Sequence, residues 1–185
     1  NKFNKICELI INCKGNVVLM GIGKSGNIAA KVSSTLSSTG TSSFYLNAAE
    51  ASHGDLGSLK KNDILMIFSF SGETEEIIKI FPSCESKVKA IVSITGNEES
   101  FIAKGSYLNL HLEISEEACP LNLAPTTSSS AMLILGDALA IAILEARKFS
   151  PEDFAKNHPG GKLGKSLLKV KDLMISGNSL PLVSD

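Results

Sequence analysis

Asp63-Ile-Leu-Met-Ile-Phe-Ser-Phe-Ser-Gly-Glu-Thr74 sets an apolar run against a cluster of hydroxyls and one glycine. The run 63–69 lacks polar alternation, so it reads as a strand covered on both faces. A helix is predicted from about Glu73 to Phe81, with Pro82 near its end. Ser69, Ser71 and Thr74 therefore crowd the place where a strand hands over to a helix. That is the chemistry of a phosphate seat. Backbone N–H groups at a helix start point at the anion, the helix dipole favours negative charge, and short hydroxyls add hydrogen bonds. The stretch carries no lysine and no Walker pattern, so a sugar phosphate suits it better than a nucleoside triphosphate.

The flanking segments repeat the same alternation. Strands are predicted at 16–22 (NVVLMGI), 43–46, 88–95 (VKAIVSIT) and 107–114, with helices at 3–13, 27–38 and 98–104. Strands alternating with helices define an α/β fold, a parallel sheet layered between helices. Ligands of such sheets bind beyond the carboxyl ends of the strands, near a switch in strand order. The turn GIGKSG at 21–26 and the seat at 69–74 both lie at such ends, so they can converge on one ligand although more than 40 residues separate them. Residues 126–148 read as a long helix. Hydroxyls at 126–130 cap it and Pro125 stands just before. Its middle, AMLILGDALAIAILEA, is apolar nearly all round, which fits a deeply buried helix or one shared with another subunit; the subunit interface is the favoured reading. A short helix at 151–157 leads into a glycine-rich loop, HPGGKLGK, at 158–165.

Composition narrows the function classes. The chain has 185 residues, 43% apolar and 20% charged, a soluble globular balance with room for one sizeable core. Eighteen basic and nineteen acidic residues leave a formal charge of −1, and no basic stripe argues for nucleic acid. The apolar stretch 131–144 is interrupted by Gly136 and Asp137 and is read as too short to span a membrane. Cys7, Cys13, Cys84 and Cys119 form no Cys-x-x-Cys pair and no zinc spacing, and read as buried reduced thiols of a cytoplasmic protein. The chain opens on Asn1 without a signal peptide and is read as a fragment or a processed chain.

Several side chains are chemically suggestive. In 21–26 the third glycine comes too early for a dinucleotide fingerprint, which disfavours NAD. Ser25 can join the phosphate seat. Lys24 either faces the sugar, where it would steady developing negative charge, or is an exposed turn lysine. Glu50-Ala-Ser-His-Gly-Asp55 is a polar knot in which His53 can act as acid or base, whereas His111 sits inside a predicted strand and reads as structural. Glu75 and Glu76 occupy the first turn after the seat, where carboxylates favour the helix dipole. Glu116-Glu117, at the end of the fifth strand, can reach the same cleft; a partly desolvated carboxyl there would have a raised pKa and suit proton abstraction. His158 opens the glycine-rich loop and can serve its own site, serve a neighbour's, or simply end a helix.

Taken in order, GIGKSG, EASHGDLG, SFSGETEE, EEACPLNLAPT and HPGGKLGK resemble the sugar isomerase (SIS) domain of D-arabinose 5-phosphate isomerases. The likeness covers 17–168, and the last two motifs are far narrower than the seat, which marks only the wider superfamily. It implies a flavodoxin-like five-stranded parallel sheet in a three-layer sandwich and a homotetramer with shared active sites. It also implies interconversion of D-ribulose 5-phosphate and D-arabinose 5-phosphate, the route to the lipopolysaccharide sugar Kdo. By resemblance Ser25, Ser69, Ser71 and Thr74 hold the phosphate. Lys24, Glu76, Glu117 and His158 belong to the active site, and His53, from an adjacent subunit, assists ring opening. The organisation implied is an SIS domain over 1–168, followed at 169–185 by a linker and the start of a truncated CBS region.

Phe70 stands where the family usually carries asparagine, and Asn47-Ala48-Ala49 replaces a proline-containing turn. The expected chemistry is an aldose–ketose isomerisation through a cis-enediol, with no metal or redox cofactor. Glu117 would be the base between C1 and C2, Lys24 would face the enediolate oxygen, and Glu76 would orient one of the others. The rival readings are an SIS isomerase of another sugar phosphate and a sugar-phosphate-binding regulator. The absence of a basic helix-turn-helix in this sequence disfavours the regulator.

Overall fold

All five strands run parallel, in the order β2-β1-β3-β4-β5. The structure is a computed structural model and describes residues 1–159 and, beyond them, 170, 174–177 and 180. The chain packs as two units, Asn1–Lys148 and Phe149–Asp185. The first unit holds α1 (Lys2–Ile11), β1 (Val17–Gly21), α2 (Gly23–Ser38), β2 (Ser43–Asn47), α3 (Ala48–Ala51), β3 (Ile64–Phe68), α4 (Glu75–Lys87), β4 (Ala90–Thr95), α5 (Phe101–Gly105), β5 (Leu108–His111) and α6 (Thr127–Ala146). The expected boundary at 168/169 and the CBS-like segment fall outside the described residues, apart from isolated positions.

The continuous apolar runs of β1 and β3 are explained by two cores, one on each face of the sheet. Val17, Leu19, Ile64, Met66 and Phe68 pack with α1, α2 and α6. Val18, Met20, Leu65 and Ile67 point the other way, into a core shared with Ile77, Ile80, Phe81 and Ile102 of α4 and α5. Both strands are buried at every position, as period-two side chains between two helical layers must be. The register pairs Val17 with Ser43 on one side and with Ile64 on the other. β1 and β3 are thus neighbours whose following helices leave to opposite faces. Strand order reverses there, which is the switch point at which open α/β sheets bind ligands.

Asp63 braces the far end of the same two strands. Its buried carboxylate accepts 2.8 Å hydrogen bonds from the backbone N–H groups of Asn16 and Lys60. The fourth and fifth strands are shorter than expected, Ala90–Thr95 and Leu108–His111, α5 starts at Phe101, and two helix boundaries shift by four residues or more. The helix α2 starts at Gly23, not Asn27, so GKSG is its first turn. The helix α4 runs through Pro82 to Lys87, because Ile77, Ile80, Phe81 and Cys84 anchor its buried face despite the missing N–H.

One face of α6 is buried through Met132, Gly136, Leu139, Ala140 and Ile143. Gly136 is glycine for a reason of space, since a Cβ there would meet the Val32 side chain of α2. The opposite face leaves Ile134 and Ile141 70% and 54% exposed. By length and composition α6 would pass for a membrane-crossing helix, longer than the sequence reading allowed, but its inner face belongs to the core of the sheet layer. Cys7 and Cys84 are buried thiols as expected, and burial pushes Cys84 up to about 11; Cys13 and Cys119 are only half-buried.

In the second unit α7 (Pro151–Asn157) begins with a capping box between Ser150 and Asp153. At its end His158 stacks on Phe154, with ring centroids 3.9 Å apart, and its Nδ1 lies 2.8 Å from the Phe154 carbonyl oxygen.

Candidate active site

The motif at 21–26 is built for close approach. A Cβ on Gly21 would lie 3.0 Å from the Gly26 nitrogen, and a Cβ on Gly26 would lie 2.6 Å from the Tyr45 hydroxyl. That hydroxyl donates a 3.0 Å hydrogen bond to the Gly21 carbonyl. Gly23 adopts φ +55°, which lets the chain turn from strand into helix within two residues. These glycines therefore press α2 onto the ends of β1 and β2. Lys24 and Ser25 fall in the first helical turn, Lys24 exposed and Ser25 half-buried.

The seat at 69–74 closes on itself and on α5. The buried Ser69 Oγ lies 2.8 Å from Thr74 Oγ1 and accepts a 3.1 Å hydrogen bond from the Gly72 N–H. Ser71 Oγ accepts from the Glu73 N–H at 3.2 Å. Gly72 sits at φ +68°, and a Cβ there would run into the Ser100 side chain at the start of α5. The Gly72 carbonyl accepts from the Ile102 N–H at 3.1 Å, and Glu73 Oε1 accepts from the Phe101 N–H at 2.7 Å. The loop is thus fixed before any ligand arrives. Ser69 shapes it from within, while Ser71 is exposed and Thr74 half-buried.

Beside the seat lies a cleft of about 340 Å³. Ser25 and Phe70 form one side; the loop 114–125 and the first turns of α6, through Glu117, Asn122, Ser128 and Met132, form the other. Of the polar side chains singled out in the sequence, this cleft brings together Ser25, Glu116 and Glu117. Ser69, Ser71 and Thr74 border it through the loop that also carries Phe70, without lining it. Lys24 and Glu76 are exposed in the first turns of α2 and α4. His53 is exposed just beyond α3, its N–H bonded to the Glu50 carbonyl at 2.9 Å. His158 belongs to the second unit.

Glu117 departs from the raised pKa expected of it. Its Oε2 accepts from the Thr126 N–H at 2.8 Å, the Ser128 N–H at 3.1 Å and the Thr126 hydroxyl at 3.2 Å; its Oε1 accepts from the Ser128 hydroxyl. The Ser128 hydroxyl above all, then the Thr126 and Ser128 amides, hold the carboxyl down at about 2 against the opposing effect of desolvation. The carboxylate caps the start of α6, whose unsatisfied N–H groups it satisfies. Around it the loop is tied by Asn122, which adopts φ +51° and accepts from the Glu117 N–H at 2.7 Å. Ser128, Ser129 and Asn122 were not recognised in the sequence as cleft residues. For Ser128 and Ser129 the signal is the hydroxyl run at 126–130, which as sequence reads as a helix cap; for Asn122 there is none.

The SIS domain family model matches residues 9–142, so the chain belongs to the SIS domain family. Among its relatives, the arabinose 5-phosphate isomerase KdsD of Pseudomonas aeruginosa is 52% identical over 182 residues, 98% of this chain and 56% of that protein. The arabinose 5-phosphate isomerase KpsF of Escherichia coli O6:H1 is 50% identical over 174 residues, 94% of this chain and 53% of that protein. The chain spans about half the length of these curated relatives. A protein of E. coli CFT073 solved in complex with arabinose 5-phosphate superposes with a TM-score of 0.84 at 40% identity, covering 85% of this chain and 84% of that one. The flavodoxin-like fold and the family expected from the motifs are both borne out.

Proposed function

We propose that the chain is an aldose–ketose isomerase that interconverts D-ribulose 5-phosphate and D-arabinose 5-phosphate. The observation that carries this reading is one cleft at the switch between β1 and β3, with Ser25 and the seat loop on one side and the ionised Glu117 on the other. The relatives named as arabinose 5-phosphate isomerases, and the solved neighbour in complex with arabinose 5-phosphate, support the choice of a five-carbon sugar phosphate.

The phosphate binds Ser71, Thr74 and Ser25 and the amides at the start of α4, with Ser69 holding the loop in shape. Anchoring one end converts binding energy into orientation of the other. A base removes the proton from C2 of the aldehyde, and the C2–H electrons form the C1–C2 double bond as the carbonyl oxygen takes a proton. The resulting cis-enediol is reprotonated at C1 while the C2 hydroxyl loses its proton to give the ketose. The electrons stay within the substrate, so the reaction calls for no external redox partner.

Lys24 steadies the enediolate oxygen, and His53 or His158 assists ring opening. Glu76 orients one of these groups. Glu117 lines the cleft and is ionised, as a base must be, but its four hydrogen bonds weaken its basicity. It serves as the C1/C2 base only if substrate binding releases the Ser128 hydroxyl.

The exposed Ile134 and Ile141 face of α6 supports a homotetramer, in which His53 reaches a neighbour's cleft. The relatives' names support a place in Kdo supply, and the four free cysteines are in keeping with the reducing cytoplasm. Substrate profiling tests the reading: turnover of ribulose 5-phosphate far above any hexose phosphate is expected. Preference for a hexose phosphate would assign a different isomerase, and binding without turnover a regulator.

A further inference from the structure

Phe70 sits between the two serines of the seat and is held from three sides. Its ring lies against Gly96 at the end of β4, so closely that a Cβ there would come within 2.7 Å of Cζ and 2.8 Å of Cδ2. The Phe70 carbonyl accepts a 2.7 Å hydrogen bond from the Gly96 N–H. His111 Nε2 lies 3.2 Å from the Gly96 carbonyl oxygen and steadies that turn from the next strand. Inward, the ring packs on the core under α6. Its remaining surface lines the cleft, together with Leu123, Pro125 and Met132.

The lining of the cleft therefore combines two kinds of group. Ser25, Ser128 and Glu117 offer hydrogen bonds, whereas Phe70, Leu123, Pro125 and Met132 offer none. A sugar chain has the same division, with hydroxyls on its edges and C–H groups on its faces. Because Phe70 is bonded directly to Ser69 and Ser71, its distance from the bound phosphate is fixed by the backbone. A rigid ring at a fixed distance from an anion seat acts as a stop for the chain attached to that anion.

We propose that Phe70 is a specificity-determining residue: its ring carries the C–H face of a five-carbon sugar phosphate and excludes a sixth carbon. The assignment rests on the isomerase reading above. Removing the stop opens room for one more carbon, and one carbon in an apolar pocket is worth roughly ten- to two-hundred-fold in discrimination.

The test compares the wild-type chain with Phe70→Ala, Phe70→Leu and Gly96→Ala, using D-arabinose 5-phosphate, D-glucose 6-phosphate and inorganic phosphate as a competitive inhibitor. In Phe70→Ala the KM for arabinose 5-phosphate should rise at least about tenfold, and the pentose-over-hexose ratio of kcat/KM should fall at least about tenfold. Phe70→Leu should fall between, and inhibition by inorganic phosphate should change less than about twofold, since the seat itself is intact. Gly96→Ala, which pushes the unaltered ring into the cleft, should raise the pentose KM. If Phe70→Ala does not fold, Phe70→Leu and Gly96→Ala decide.

Unchanged KM and unchanged ratio in folded variants would overturn the assignment. Were the wild type to turn over neither sugar, the isomerase reading would fall on its own. Calorimetric binding of arabinose 5-phosphate relative to inorganic phosphate would then judge Phe70, and an unchanged ratio would remove it.

Discussion

The carboxylate of Glu117 and the Ser128 hydroxyl and N–H form a closed contact at the start of α6, eleven positions apart in the chain. One residue on the wall of the cleft thus also ties the loop 117–126 to the helix that carries the rest of that wall. The shape of the cleft and the charge in it depend on the same group.

This contact has a pH signature. Glu117 is held at about 2, below its ordinary 4.5, so it binds its proton less readily in the folded chain than in the unfolded one. Its contribution to stability is full above about pH 4.5 and is lost as pH falls toward about 2. The melting temperature of Glu117→Gln should lie below that of the wild type at pH 7, and the gap should close through that window. A gap independent of pH would mean that the carboxylate is not held by Thr126 and Ser128.

Activity provides a second reading of the same residue. If Glu117 moves the C2 proton, Glu117→Gln should lower kcat by ~10²–10⁴-fold, the usual contribution of a general base. A loss confined to KM would leave it as the brace of the cleft and move the base to Glu76 or a histidine.

Gly72 is required twice, by its φ of +68° and by the Ser100 side chain packed beneath it. An alanine carries a left-handed penalty of roughly 1–2 kcal/mol before the collision with Ser100 is counted. Chemical denaturation of Gly72→Ala should show at least that loss, with inhibition by inorganic phosphate weakened because the seat is displaced.

Asp63 tests the opposite end of the sheet. Asp63→Ala removes the partner of the part-buried Asn16 and Lys60 N–H groups, at about 0.5–1.5 kcal/mol for each hydrogen bond lost. Urea unfolding should register the loss, while KM stays unchanged, because these bonds lie at the amino ends of strands whose carboxyl ends carry the cleft.

The sheet was legible because Val17–Gly21 and Ile64–Phe68 are buried on both faces, and such strands have to be apolar throughout. Periodicity failed where a local signal was overridden. Pro82 reads as a stop but lies within α4, since the buried Phe81 and Cys84 keep that turn in place. Four-residue α3 is too short to show any period. In the site, hydroxyls and glycines announced the seat, but the inward turn of Ser69 depends on Thr74 and the Gly72 amide, which no spacing displays. The depressed pKa of Glu117 was hidden for the same reason, because its partners come from the next element.

As an isomerase of the proposed kind, this cleft moves a proton between C1 and C2 of a phosphorylated pentose. NMR of D-ribulose 5-phosphate incubated with the chain in D₂O reads that step directly. Deuterium should appear at C2 of newly formed D-arabinose 5-phosphate. Ribulose 5-phosphate that binds but gains no deuterium and yields no arabinose 5-phosphate would contradict the account.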